Sequence, residues 1–171
     1  MARTVNQTQN RVAIRFATEE DCGLILHFIR ALAFYEKAPE AVVATEAQLR
    51  EHGFGPRPHF ETLIAELGGE PVGMALFHPR FSTWTGTPTM FLEDLYVTEA
   101  ARSRGVGRRL LARLAKLALE RGWARIDFHV LDWNPARGFY RKLGFEHYEE
   151  WLRYGAAKAW LERLAEWDEP G

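Results

Sequence analysis

The 171-residue chain has one cysteine, Cys22, so no internal disulfide can form and the fold must rest on a packed core. Cys22 itself reads as a small buried hydrophobe rather than a nucleophile. The six histidines, at 27, 52, 59, 78, 129 and 147, lack metal-ligand spacing, so no metal is expected. No apolar run is long enough to span a bilayer, and "MARTVNQTQN" has no signal-peptide core. A cytoplasmic location without a membrane partner is the resulting expectation. Charge of one sign is also missing: 22 Lys+Arg stand against 23 Asp+Glu, a net charge of -1. No global field exists to hold a nucleic acid, and any basic patch must be local.

What is present suits a globular protein. With 47% hydrophobic residues, the length fits one core. Residues 1–10 are polar and aperiodic and read as a flexible tail, leaving 11–171 as a single domain. "RVAIRFA" alternates like a strand, and Thr18 followed by Asp21 is a capping signal before an apolar helical run that stops at Ala38-Pro39. "TEAQLREHGFG" reads as a short helix ending at Gly53. "HFETLIAEL", "PVGMALFHPRF" and "TMFLEDLYV" read as three strands, with no Asn-Gly turn to fix their register.

From Gly105 the period changes to 3.6. Val106, Leu110, Leu114, Leu117 and Ala118 share one helical face, and Gly122 should end the helix. "WARIDFHVLDW" reads as a strand, "NPARGFYRKLGF" as a short helix, "EHYEEWLRY" as a last strand or pair of strands, and "AAKAWLERLAEW" as a final helix. The order predicts an α/β or α+β layered domain with a mixed sheet.

The stretch "RSRGVGRRLL", 102 to 111, follows a strand and opens a helix. Unpaired backbone N–H groups at the positive end of a helix dipole attract anions there. It is not a P-loop, for no Lys-Ser/Thr follows the glycines, and Leu110 stands where a dinucleotide fingerprint needs its third glycine. The stretch alone leaves an anion cradle and a plain helix start with a solvated basic face equally open.

Three linked segments go further. "RSRGVGRRLL" resembles the Arg/Gln-x-x-Gly-x-Gly/Ala signature of the GNAT superfamily of acyl-CoA-dependent N-acetyltransferases, with "FLEDLYV" upstream and "LDWNPARGFYRKLGF" downstream. Within it the chain is most similar to the diamine (spermidine/spermine) acetyltransferases and their thialysine-acetylating relatives, from "IRFATEEDCGLIL" through "LAFYE", "LEDLYV" and "WN" to "EEWLRY". Two departures stand out: Trp133 to Tyr140 spans one residue fewer than in the diamine enzymes, and Arg104 replaces a small or apolar residue.

The resemblance implies a mixed, mostly antiparallel central sheet, splayed at the cofactor cleft, with helices on both faces. It implies acetyl-CoA as cosubstrate, with the backbone of Leu95, Tyr96 and Val97 along the pantetheine. Arg102, Ser103, Arg104, Gly105, Val106, Gly107 and Arg108 would then meet the pyrophosphate, and Asn134, Pro135 and Ala136 the other side of the cofactor. Arg109 is expected on the solvated helix face. Glu93 takes the place of the proton-accepting carboxylate and Tyr140 that of the general acid. Alternation along the strand would put Glu93 and Asp94 on opposite faces. Tyr35, Glu36, Glu93, Asp94, Asp127 and Glu150 are candidates to receive a small cationic amine, a polyamine or a thialysine-like one.

The implied activity is acetyl transfer to that amine by direct attack. A non-catalytic acetyl-CoA or polyamine-binding module and an acetyltransferase of protein amines are the alternatives. Trp151, Trp160 and Trp167 crowd the end of the chain, and the resembled family forms dimers, so a homodimer is expected.

Overall fold

The computed structural model describes residues 11–168; the expected tail over 1–10 lies outside the described residues. The chain divides into two compact units, Met1–His129 and Val130–Gly171.

The first unit holds a five-stranded sheet of order β1-β2-β3-β4-β5. The strands are β1 (Val12–Phe16), β2 (Glu61–Leu67), β3 (Glu70–Ser82), β4 (Thr87–Val97) and β5 (Ile126–Asp127). The first four pair antiparallel, and β5 joins β4 in parallel, as the mixed-sheet expectation requires. β2 and β3 are linked by Gly68 and Gly69 alone, with φ of 66° and 91°. Two consecutive left-handed residues make the tight turn whose twist matches that of the strands, and they set the register that the sequence left open.

Helices α1 (Cys22–Tyr35) and α2 (Glu46–Phe54) cover one face of the sheet. Cys22, Ile25, Phe28 and Leu49 pack there with Ile64, Met74 and Leu76, and Cys22 is fully buried as expected. Thr18 and Asp21 do form a capping box, though it caps a 3-10 turn, Glu19–Asp21, just ahead of α1. Arg15 locks that turn to the sheet. Its guanidinium donates to both Asp21 carboxylate oxygens and to Glu66, and this holds the Asp21 carboxyl down at about 2. The second helix runs one residue past Gly53, because Thr45 and Gln48 cap its start and Gly55 closes its end.

Helix α3 (Val106–Glu120) covers the opposite face. The five residues expected on its inner stripe are all buried, and Leu111 joins them. Its C-terminal flank is pinned by Arg121, which donates to both oxygens of Glu61 at 2.5 and 2.8 Å and lies over Phe77.

Two strand expectations are corrected. "WARIDFHVLDW" contributes only the two-residue β5, whose pairing with β4 ends at Phe91–Asp127. The stretch 146–154 forms no strand: Trp151, Leu152 and Tyr154 are exposed, and no strand lies within the described part of the second unit to pair with it. That unit contains α4 (Ala136–Lys142) and α5 (Lys158–Ala165).

Candidate active site

The site is built on the C-terminal half of β4. Leu76 of β3 lies opposite Asp94, but Phe77 lies opposite Leu92, so Glu93 is an extra residue without a cross-strand partner. This β-bulge bends the strand and re-aims its side chains. Met74, Leu76 and His78 share one face of β3, and the pairs Leu76–Asp94 and His78–Phe91 put Asp94 and Phe91 on that face too. The Glu93 carboxylate also reaches it, with Oε2 3.6 Å from His78 Nε2. The expected separation of Glu93 and Asp94 on opposite faces is therefore wrong: the bulge cancels one step of the alternation.

A third carboxylate, Glu36, caps the C-terminus of α1. Burial first, then the Glu93 and Glu36 charges, push the Asp94 carboxyl up to about 6. Burial pushes Glu36 up as well. Asp94 thus lies within electrostatic reach of both other acids, an arrangement that gains from a cation. Asp127, by contrast, is held by Arg125 Nε at 2.9 Å, so its charge is largely answered.

A carboxyl raised in the fold binds its proton more tightly than in the unfolded chain, so stability falls as pH rises from the ordinary carboxylate range through about 6. Asp94→Asn removes that loss. The thermal midpoint of the variant should exceed that of the wild type by several degrees near about pH 8, with the gain shrinking towards zero near about pH 4. Thermal denaturation at the two pH values measures this, and an equal gain at both would place its cause elsewhere.

Beyond the bulge the sheet opens. The β4–β5 ladder covers Met90–Ile126 and Phe91–Asp127 and stops there, although β4 continues to Val97. Thr98 N–H donates to Val72 O at 2.9 Å, which makes the Val72–Thr98 position a hydrogen-bonded pair. Alternate pairs, Gly73–Val97 and Ala75–Leu95, are then of the other kind, with backbone groups turned away from each other. Leu95 and Val97 thus present their N–H and C=O to the open edge. On that edge Arg102 Nε donates to Val97 O at 3.2 Å, and its guanidinium lies 4.8 Å from the centre of the Tyr35 ring. The Tyr96 side chain packs in the core against Phe28, and its pair with Met74 is of the hydrogen-bonded kind, so its backbone groups turn to β3 and not to the open edge.

The link to α3 supplies an anion-shaped turn. Ser103 and Gly105 both have positive φ, 61° and 81°, and Gly105 is the N-cap of α3 without a side-chain cap. A Cβ at Gly105 would meet no atom within 4 Å, so it would project into open space over the cavity described next. The first turn of α3 carries no acid. Arg104, Gly105, Arg108 and Arg109 line a cavity of about 320 Å³ together with Arg11 and Val12. Guanidiniums around the positive end of a helix repel one another unless an anion lies among them, so the donor set fits a phosphate-bearing group. Arg109 is exposed, as expected for the solvated face, and also lines this cavity. Arg11 is the addition that sequence reasoning missed, since nothing local links it to residues 104–109. The Val106 side chain is buried, and Gly107 does not line the cavity.

In the second unit, Asn134 Oδ1 accepts from the Ala136 N–H at 2.9 Å and so starts α4, with Pro135 at the N-cap. Tyr140 lies near the end of α4, its ring 5.3 Å from that of Phe139 and edge-on to Phe145 at 6.1 Å. Glu150 is exposed. Among the described residues, no group of three or more His, Cys, Asp or Glu is placed to hold a metal ion, and no helix is long and apolar enough to cross a membrane.

Residues 29–145 match the acetyltransferase (GNAT) family, a span that includes α3, its glycine turn and Tyr140. The chain belongs to the GNAT acetyltransferase family. This GNAT acetyltransferase is 43% identical over 142 residues to a thialysine N-epsilon-acetyltransferase of Sus scrofa, covering 78% of this chain and 83% of that protein. It is 37% identical over 130 residues to a spermidine/spermine N(1)-acetyltransferase-like protein 1 of Homo sapiens, covering 72% of this chain but 19% of that longer protein. Among solved structures, an integron cassette protein from the mobile metagenome of V. cholerae superposes with a TM-score of 0.73 at 25% identity, over 90% of this chain and 97% of that one. The GNAT protein is thus an enzyme, an acyltransferase of the N-acetyltransferase type, and the GNAT family uses acetyl-CoA.

Proposed function

We propose that the protein acetylates the primary amine of a small cationic substrate, first a thialysine-like amino acid and then polyamines, by direct attack on acetyl-CoA. The observation that carries this reading is the gathering of Glu36, Glu93 and Asp94 beside the open edge of β4. An acidic cleft recruits an ammonium group, and the thialysine N-epsilon-acetyltransferase relatives agree with that chemistry.

A lysine-like amine, pKa near ~10.4, arrives charged and must lose a proton before it can attack. Glu93, released from strand alternation by the bulge, accepts it. Acetyl-CoA, when bound, supplies the activated acetyl thioester. The Leu95 and Val97 backbone would hold the pantetheine, and the Ser103–Arg108 turn and its arginines the pyrophosphate. A β4 edge N–H would stabilise negative charge developing on the acetyl oxygen. By the family resemblance, Asn134, Pro135 and Ala136 would meet the cofactor as well, and Tyr140 would donate its phenolic proton to the departing sulfur. Tyr35, Glu36, Asp94 and Glu150 serve the remaining charge of the substrate.

The exposed Trp151, Trp160, Trp167, Leu152 and Leu161 support a homodimer. The use of a single, buried cysteine accords with a cytoplasmic protein, and the balanced charge with a small-molecule rather than a nucleic-acid partner.

A thiol-release assay with acetyl-CoA and a panel of thialysine, lysine, spermidine, putrescine and lysine-containing peptides tests the reading. Release should be fastest with thialysine or a polyamine. Fastest release with peptides would make protein amines the substrate, and none with any amine would make the protein a binding module.

A further inference from the structure

We propose that His78 works through Glu93 as its proton relay, drawing off to solvent the proton that Glu93 takes from the substrate ammonium; this rests on the role given to Glu93 above. His78 lies on β3, outside every segment that carries the family resemblance. Its Nδ1 is 3.2 Å from Pro79 O. A carbonyl oxygen only accepts, so Nδ1 must carry the proton and donate. In the neutral ring Nε2 is then the bare, basic nitrogen, and it is Nε2 that faces Glu93 Oε2 at 3.6 Å. An imidazole oriented this way can take up a proton on the side that faces the carboxylate.

The surroundings suit transit rather than storage. The Phe91 ring packs 5.3 Å from His78 and holds the imidazole in place. Arg80, on the same strand, lies over the other reach of that ring at 5.0 Å, and His129 meets it edge-on at 5.2 Å. Asp127, the remaining acid near Phe91, is occupied by Arg125. Glu93 is therefore the carboxylate that faces His78. The His78 side chain is 31% exposed and that of Glu93 56%, so the proton has a path to water and the Glu93 chain is free to close the gap.

The balance is simple. One ammonium N–H bond breaks and a proton passes to Glu93. It moves on to Nε2, forming an N–H bond and restoring the carboxylate, and the imidazolium then releases it to water. The neutral amine attacks, and its second proton leaves separately with the thiol. A bare carboxylate is a weak acceptor for an ammonium proton, whereas an imidazole behind it has basicity near the working pH.

The test has two arms. Proton-carbon NMR of the His78 ring without substrate, at one fixed pH, should show its ring resonances move in Glu93→Gln relative to the wild type; unchanged resonances overturn the contact. In steady-state kinetics, His78→Ala and His78→Gln should each lose roughly tenfold to a hundredfold in kcat with KM for acetyl-CoA unchanged. Free imidazole in the buffer should restore part of the His78→Ala rate, which a purely structural role would not allow. Wild-type rates in both variants, or a loss that imidazole does not rescue, overturn the proposal alone. A wild type that releases no thiol with any amine overturns the parent reading and this one with it.

Discussion

Tyr140→Phe is expected to lower kcat by ~10²- to 10⁴-fold, the usual range for loss of a general acid, while acetyl-CoA affinity stays within about a factor of two. The substitution removes one hydroxyl. It leaves the ring that packs beside Phe139 and edge-on to Phe145, so α4 keeps its contacts. In the proposed role the phenol acts only when the sulfur departs as an anion, so its loss would fall on the chemical step and not on ground-state binding. Steady-state thiol release with calorimetric titration of acetyl-CoA separates the two quantities. Unchanged turnover would end the general-acid role, and a parallel loss of cofactor affinity would recast Tyr140 as a binding residue.

Glu93→Gln should follow with a loss of ~10²-fold or more. The amide is nearly isosteric and keeps the bulge, but it cannot take a proton. The sign of the pH effect is specific. At low pH more amine is charged and more depends on an acceptor, so the deficit should widen as pH falls and narrow as pH approaches the pKa of the amine. A pH–rate profile of kcat/KM over the neutral-to-alkaline range measures it. A variant whose profile runs parallel to that of the wild type would remove Glu93 from the mechanism.

The helical parts of the fold were plain from local pattern. Val106, Leu110, Leu114, Leu117 and Ala118 recur at the helical period because one face of α3 must be buried against the sheet, and each of them is. What stayed hidden was set by partners far along the chain. The bulge exists only as a mismatch between the steps of β3 and β4, and nothing in "FLEDLYV" by itself says that Glu93 is the unpaired residue. The length of β5 was hidden for the same reason: "WARIDFHVLDW" has strand composition throughout, but a strand lasts only as long as its neighbour stays within reach. His78 and Arg11 were invisible to motif reading because each meets its site across the sheet or across the domain.

The residues read as cofactor-binding divide accordingly. Leu95 and Val97 would act through backbone direction, which pairing parity determines. Arg104, Gly105 and Arg108 would act through a local turn, which the sequence can show.

Arg102 bears on how such an enzyme can change over generations. One guanidinium holds the carbonyl at the end of β4 and lies over the ring of Tyr35 at the end of α1. A lysine offers no flat surface for the ring and no fixed fork for the carbonyl, so it would keep the charge and lose both contacts. The strand edge proposed for the cosubstrate and the helix end proposed for the amine therefore share a single side chain. Selection for a new amine that reshapes the Tyr35 end will disturb the strand edge unless Arg102 is left alone. Drift in substrate preference should accordingly run through Glu36, Asp94 and Glu150, with Arg102 the fixed point around which specificity evolves.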